Sequence, residues 1–238
     1  MITLGKSSPA ALKVLGVIFL FSATAAAEIP GLCNTGQTRK NFGGCTGALV
    51  TPNPAGGGTQ RDGNWEMAYP YPATDAEAQN PCALQYIRTW VDTPFFLWLP
   101  NGASSASEWI SPYDGESDRP VGSYVYATTF QIPDAQSFTI NGQLASDNAT
   151  VAIYLQTPAA GGACYLVSGQ TFPVNPGTNQ DNDFEQWWPF TITNTQPLAV
   201  EFPAVLFFVV QNQYDPSNAD GASPSGLRVE FFSTSKFN

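Results

Sequence analysis

The chain of 238 residues has no histidine, two methionines, and charged residues at 12% of its composition, about half the share usual in globular proteins. Without an imidazole there is no Ser-His-Asp triad. Lys and Arg number nine against nineteen Asp and Glu, a formal charge of −10. That balance argues against nucleic acid and anionic membranes as partners, because both associations need cations to displace counterions. Solubility is its plain consequence. Also missing is any apolar run near the roughly 20 residues that span a bilayer. The apolar stretch 14–21 is too short, and it sits between Lys6 and Lys13 on one side and the small residues 22–27 on the other. Residues 1–27 therefore read as a secretory signal peptide, with cleavage expected after Ala27. The remaining 211 residues would carry a charge of −12.

What is abundant points the same way. Gly and Pro number 21 and 20, and aromatics reach 13%, the profile of an extracellular β protein with Pro-punctuated loops. The four cysteines, Cys33, Cys45, Cys82 and Cys164, all lie beyond the leader. An even number behind a secretion signal points to two disulfides. Cys33 and Cys45 enclose a short Gly-rich loop and are the expected local pair, which leaves Cys82 for Cys164, although sequence alone leaves three connectivities open. No CxxC spacing and no histidine accompany the thiols, so a zinc site is disfavoured.

The periodicity is that of strands. Tyr124, Tyr126, Thr128, Phe130 and Ile132 share one face of an extended segment, Phe138 and Ile140 resume the pattern after Pro133-Asp134, and Val151, Ile153 and Leu155 repeat it after the 146–148 turn. These are expected to form a three-stranded antiparallel meander over 121–155. Further strands are expected at 84–91, 95–99, 164–167, 187–193 and 227–231. The wholly apolar run 205–210 is expected as a central strand covered on both faces. Residues 73–80 are the best helical segment. Residues 28–60 read as an extended, disulfide-tied arm, forming one unit with a domain over 61–238. The fold expected is all-β, an antiparallel two-sheet β-sandwich of jelly-roll type.

Several pieces, in order, carry a family likeness: Asn34-Thr35-Gly36, the DGNW of 62–65, the stretch from Trp98 through Pro100-Asn101 to Trp109-Ile110-Ser111, GSYVYATTFQI at 122–132, Asp147-Asn148, FFVVQN at 207–212 and SPSGLRVEF at 223–231. Together the chain resembles the secreted bacterial galactose-binding-domain-like sandwiches that often carry a PEP-CTERM sorting tail. It departs from them at Phe202-Pro203-Ala204-Val205-Leu206, where the family has Gly-x-Asn-x-Leu, at Gln156-Thr157 in place of Asn-Gly, and in having no sorting tail after Phe231. The resemblance implies a jelly roll and extracellular, carbohydrate-associated binding.

Asp181, Asp183 and Glu185 alternate in DNDFE, so their oxygens are candidate ligands for a hard cation such as Ca²⁺, although no EF-hand pattern surrounds them. Trp187 and Trp188 follow directly. On one strand their rings would point to opposite faces, one into the core and one outward as a platform for the apolar face of a sugar. Carboxylate pairs that could hydrolyse a glycosidic bond arise by chance among nineteen acids. The function expected is a secreted, non-catalytic binding module for carbohydrate. The alternative is a structural or adhesive protein of the cell exterior whose ligand is another protein, with the 112–120 loop as a contact.

Overall fold

The computed structural model describes residues 29–39, 44–51, 60–95, 97–101, 105–113, 119–132, 137–157, 164–166, 184–194, 202–214 and 222–237. The leader and residues 167–183 lie outside them. A small antiparallel pair, β1 (Gln37–Arg39) and β2 (Cys45–Leu49), precedes β3 (Arg61–Tyr69). Next come a one-turn helix α1 (Asp75–Ala78) and the strands β4 (Gln85–Asp92) and β5 (Trp109–Ser111). The middle of the chain holds β6 (Gly122–Ile132), β7 (Phe138–Asp147), β8 (Ala149–Gln156) and β9 (Cys164–Leu166). It ends with β10 (Trp188–Asn194), β11 (Phe202–Asn212), β12 (Gly226–Phe231) and β13 (Lys236–Phe237).

Strands β3 to β13 form a single 11-stranded sheet in the order β10-β7-β12-β5-β4-β3-β6-β11-β8-β9, with β13 also on β7. On a flat sheet β10 and β11 would stand roughly 34 Å apart, at about 4.8 Å per strand. Instead Phe190 of β10 meets Phe208 of β11 with ring centroids 5.8 Å apart. The sheet therefore curls until its two halves face each other. Trp65 of β3 stacks on Phe231 of β12, and Phe130 of β6 packs edge-on against Phe138 of β7. The all-β, antiparallel character matches the expectation. Its two layers are halves of one hydrogen-bonded sheet, joined through β5, rather than two separate sheets.

The expected meander over 121–155 is not formed. β6 pairs with β11 and β3, β7 with β10 and β12, and β8 with β11 and β9. Successive strands cross from one layer to the other and back, so each buries its apolar face against strands distant in sequence. The inner faces of β6, β8 and β11 meet the main core, and the outer faces of β6 and β11 are covered as well. There Val125, Ala127, Phe207 and Val209 pack with Ala73 and Ala78 of the α1 region. The run 205–210 is thus a central strand buried on both sides, as its composition predicts. α1 is set by a capping box in which Thr74 accepts from the Glu77 N–H and Glu77 accepts from the Thr74 N–H.

A strand expected over 95–99 is a turn, closed by the Trp98 N–H donating to the Phe95 carbonyl at 2.8 Å. Pro94 and Pro100 bracket it and remove the donors a ladder would use. The Cys33–Cys45 disulfide is formed as expected. Cys82 is disulfide-bonded too, while the side chain of its expected partner, Cys164, lies outside the described residues. Among the described residues no helix is long and apolar enough to cross a membrane.

Candidate functional site

Of the residues singled out from sequence, Asp181 and Asp183 lie outside the described residues. Glu185 is exposed, in the turn before β10. Trp187 is half-buried against the small cluster of Trp98, Trp109 and Ala145, with the Arg228 guanidinium 4.9 Å from its ring centroid. Trp188 is half-buried at the edge of the main core, and its indole N–H has no partner among the described residues. Both rings therefore support packing, and neither stands fully in solvent. Among the described residues no three His, Cys, Asp or Glu side chains converge to hold a metal ion.

Arg228 itself is buried and well occupied. Its Nε donates to Ser107 Oγ at 2.8 Å and its Nη1 to the Leu99 and Pro100 carbonyls at 3.2 Å. Glu230 accepts from Ser107 and Gln143 and lies 3.9 Å from Arg228. The nearby Glu108 has a buried Oε2 with no partner among the described residues, and burial pushes its carboxyl up to about 7 against the pull of Arg228. This node joins the residues just before β5 to β7 and β12.

The exposed aromatic side chains gather elsewhere, at one end of the sheet. Tyr69 closes β3, and Pro70 and Pro72 stop the strand and turn the chain around Tyr71. The Tyr71 ring lies 6.0 Å from Tyr69, 5.3 Å from Tyr113 and 6.2 Å from Tyr124, centroid to centroid. The first two pairs are close to perpendicular, at 74° and 86°, the edge-to-face geometry aromatic quadrupoles favour. Tyr69 is 54% and Tyr113 45% exposed, whereas Tyr124 is buried.

Strand register explains the gathering. The end of β3 runs beside the start of β6, where Gly122 faces Asn212 at the end of β11. Val121 and Tyr214, which flank that pair, are exposed as well. A frame of hydrogen bonds fixes the loops that carry the rings. The Asn212 amide donates to the carbonyls of Arg119, Pro120 and Ser223 at 3.0, 3.1 and 3.2 Å. Arg119 and Ser223 exchange backbone bonds of 2.7 and 3.2 Å, and Tyr124 Oη donates to Pro120 O at 2.9 Å. The Arg119 guanidinium carbon then sits 4.2 Å from the Tyr113 centroid, a cation–π contact. Burial and the hydrogen bond with Tyr113 push the Tyr71 phenol upward, and burial lowers Arg119 from its ordinary value. Burial likewise raises the Tyr124 phenol, so Tyr71 and Tyr124 both stay neutral at physiological pH.

Sequence reasoning placed none of these tyrosines in a site, although it noted the 112–120 loop as a contact surface. The available signal was Tyr69-Pro70-Tyr71-Pro72, two aromatics at a strand end interrupted by two prolines. Compared with known proteins, the chain matches no family model, no curated protein and no solved structure.

Proposed function

We propose that the protein is a secreted, non-catalytic binding module whose ligand is a neutral carbohydrate, bound at the end of the sheet that carries Tyr69, Tyr71 and Tyr113. The observation that carries this reading is the exposure of Tyr69 and Tyr113 around a fixed central ring. Exposed rings held by a rigid frame offer apolar faces to the C–H groups of a pyranose, with little ordering of side chains on binding. Neutrality of the ligand follows from charge. The cation at this end, Arg119, is only 6% exposed and lies over Tyr113, and the chain carries a formal −10, so acidic sugars would be repelled. A jelly-roll, galactose-binding-like ancestry and export behind residues 1–27 belong to the same proposal. So does a Ca²⁺ site at Asp181, Asp183 and Glu185 beside Trp187 and Trp188.

The test is a glycan array probed with the mature protein, with and without Ca²⁺, followed by titration calorimetry on any hit. Tyr113→Ala is expected to weaken binding about tenfold or more, as loss of a central aromatic contact does, with little change in melting temperature. Affinity unmoved by Tyr113→Ala and by Tyr69→Ala would place the ligand elsewhere. Binding lost with Asp181→Ala and Asp183→Ala instead would move the site to the 175–185 loop.

A further inference from the structure

The segment around Asn34-Thr35-Gly36 fills a gap that no strand fills. β5 and β12 meet in register where Ile110 faces Leu227, and past that pair Asn34 and Thr35 lie between them. Toward β12, the Thr35 N–H donates to Val229 O at 3.2 Å. The Val229 N–H donates to Thr35 Oγ1 at 3.0 Å and the Phe231 N–H to Asn34 Oδ1 at 2.7 Å. Toward the residues before β5, the Glu108 N–H donates to Thr35 O at 2.9 Å. Thr35 Oγ1 donates to Glu108 O at 2.6 Å, and Asn34 Nδ2 to Ala106 O at 3.0 Å. Two side chains thus supply the acceptors and donors that a backbone strand would have supplied, and the seam between the two halves of the sheet is closed by a wedge.

The wedge is gripped from a third direction by β3. The Gly36 N–H donates to Asp62 Oδ2 at 2.6 Å, and the Trp65 indole donates to Cys33 O at 3.1 Å. Immediately before it stands Cys33, bonded to Cys45 at the start of β2, and β2 pairs back onto β1 directly after the wedge. The Val50 N–H, just past β2, donates to Gly36 O at 2.7 Å. The disulfide therefore closes a ring around residues 34–44. A short segment held in a seam by hydrogen bonds can otherwise open locally without global unfolding. With the ring closed, the wedge cannot leave the seam unless β1 and β2 move with it.

From this we infer that Cys33–Cys45 is a redox latch on the β5–β12 seam. In a thiol-rich compartment the two cysteines stay reduced and the wedge exchanges in and out of the seam. In an oxidising one the two thiols give up two protons and two electrons to a disulfide-bearing oxidant. One S–S bond forms between Cys33 and Cys45, the oxidant leaves as its dithiol, and the wedge is held in place.

Amide hydrogen exchange on the full mature chain tests this, comparing the unaltered protein with Cys33→Ser/Cys45→Ser, which leaves the Cys82 disulfide alone. The amides of Thr35, Glu108, Val229 and Phe231 are expected to exchange about tenfold faster or more in the variant, while those of Tyr126 and Phe208, deep in β6 and β11, keep their rates. Equal seam rates in the two proteins would overturn the inference. Acceleration of seam and β6/β11 amides alike would overturn it too, because the disulfide would then support the whole fold. Should the double variant fail to fold, the unaltered protein titrated with reductant until thiol labelling shows the Cys33–Cys45 bond open carries the test. The Thr35, Glu108, Val229 and Phe231 amides are then expected to exchange faster, and unchanged rates there overturn the inference.

Discussion

Tyr113 and Arg119 face one another across the loop from β5 to β6, with the guanidinium carbon 4.2 Å from the ring centroid. Because Arg119 is tied to Ser223 and Asn212 through its backbone, the ring takes its position from the end of β11, far away in sequence. Arg119→Lys keeps the charge but loses the planar stack. A cation–π contact is worth about 0.5 to 2 kcal/mol, so the melting temperature should fall by a few degrees. At the proposed glycan site calorimetry should also show weaker binding, because the Tyr113 ring loses the contact that fixes its position.

Gly36→Ala should be among the most damaging single changes in the chain. Gly36 has φ +74, and a Cβ there would lie 2.4 Å from Glu108 Cβ. Left-handed strain and overpacking together should cost about 2 to 4 kcal/mol, read as a lower urea midpoint with an unchanged slope. Gly47 has the same φ with open space around it, so Gly47→Ala should cost only the backbone term, about 1 kcal/mol.

Stability should fall as pH rises from about 5 to 7.5. Burial lifts Glu108 from 4.5 to about 7 and Asp62 from 3.8 to about 6. Three backbone N–H donors and Arg88 pull Asp62 the other way. An acid whose pKa is higher folded than unfolded holds its proton more tightly in the folded state. Its favourable contribution is present at low pH and is lost as pH climbs through the folded value. The chain has no histidine to oppose the trend. Melting curves should show a higher midpoint at pH 5 than at pH 7.5. Glu108→Gln should flatten the upper part of that profile and, allowing for screening of a carboxyl near the surface, stabilise by about 1 kcal/mol at pH 7.5.

Trp187→Ala and Glu185→Ala should separate cleanly in chemical denaturation. Trp187 packs against the cluster of Trp98, Trp109 and Ala145 and its ring lies under Arg228, so its loss should cost about 2 kcal/mol, less than a fully buried aromatic. Glu185 is exposed, and its loss should stay within about 0.5 kcal/mol.

The strands themselves were legible because alternation is a local property. The period of two in 124–132 and the unbroken apolar run 205–210 fix an extended chain and its buried faces. Which strand sits beside which is a long-range property. Nothing in residues 121–155 says that Phe138 belongs beside Asn194 rather than Ile132. The Cys33–Cys45 pair was readable from spacing, whereas the role of Thr35, bonded to Val229 across 194 residues, leaves no trace in its neighbourhood. The tyrosine end was missed for a similar reason. Tyr69, Tyr113 and Tyr124 are brought together by register, and only Tyr69-Pro70-Tyr71-Pro72 marks any of it locally.

The stack of Trp65 on Phe231, with Phe190 and Phe208 around it, also sets the order in which the molecule can be made. A ribosome delivers Trp65 more than 160 residues before Phe231, so the nascent chain carries one wall of its interior long before the other exists. Until residue 231 has emerged, large aromatic surface stays wet, and contacts this distant in sequence are slow to form. Completion is therefore abrupt, and a chain cut just before β12 would be an unfinished interior rather than a smaller domain.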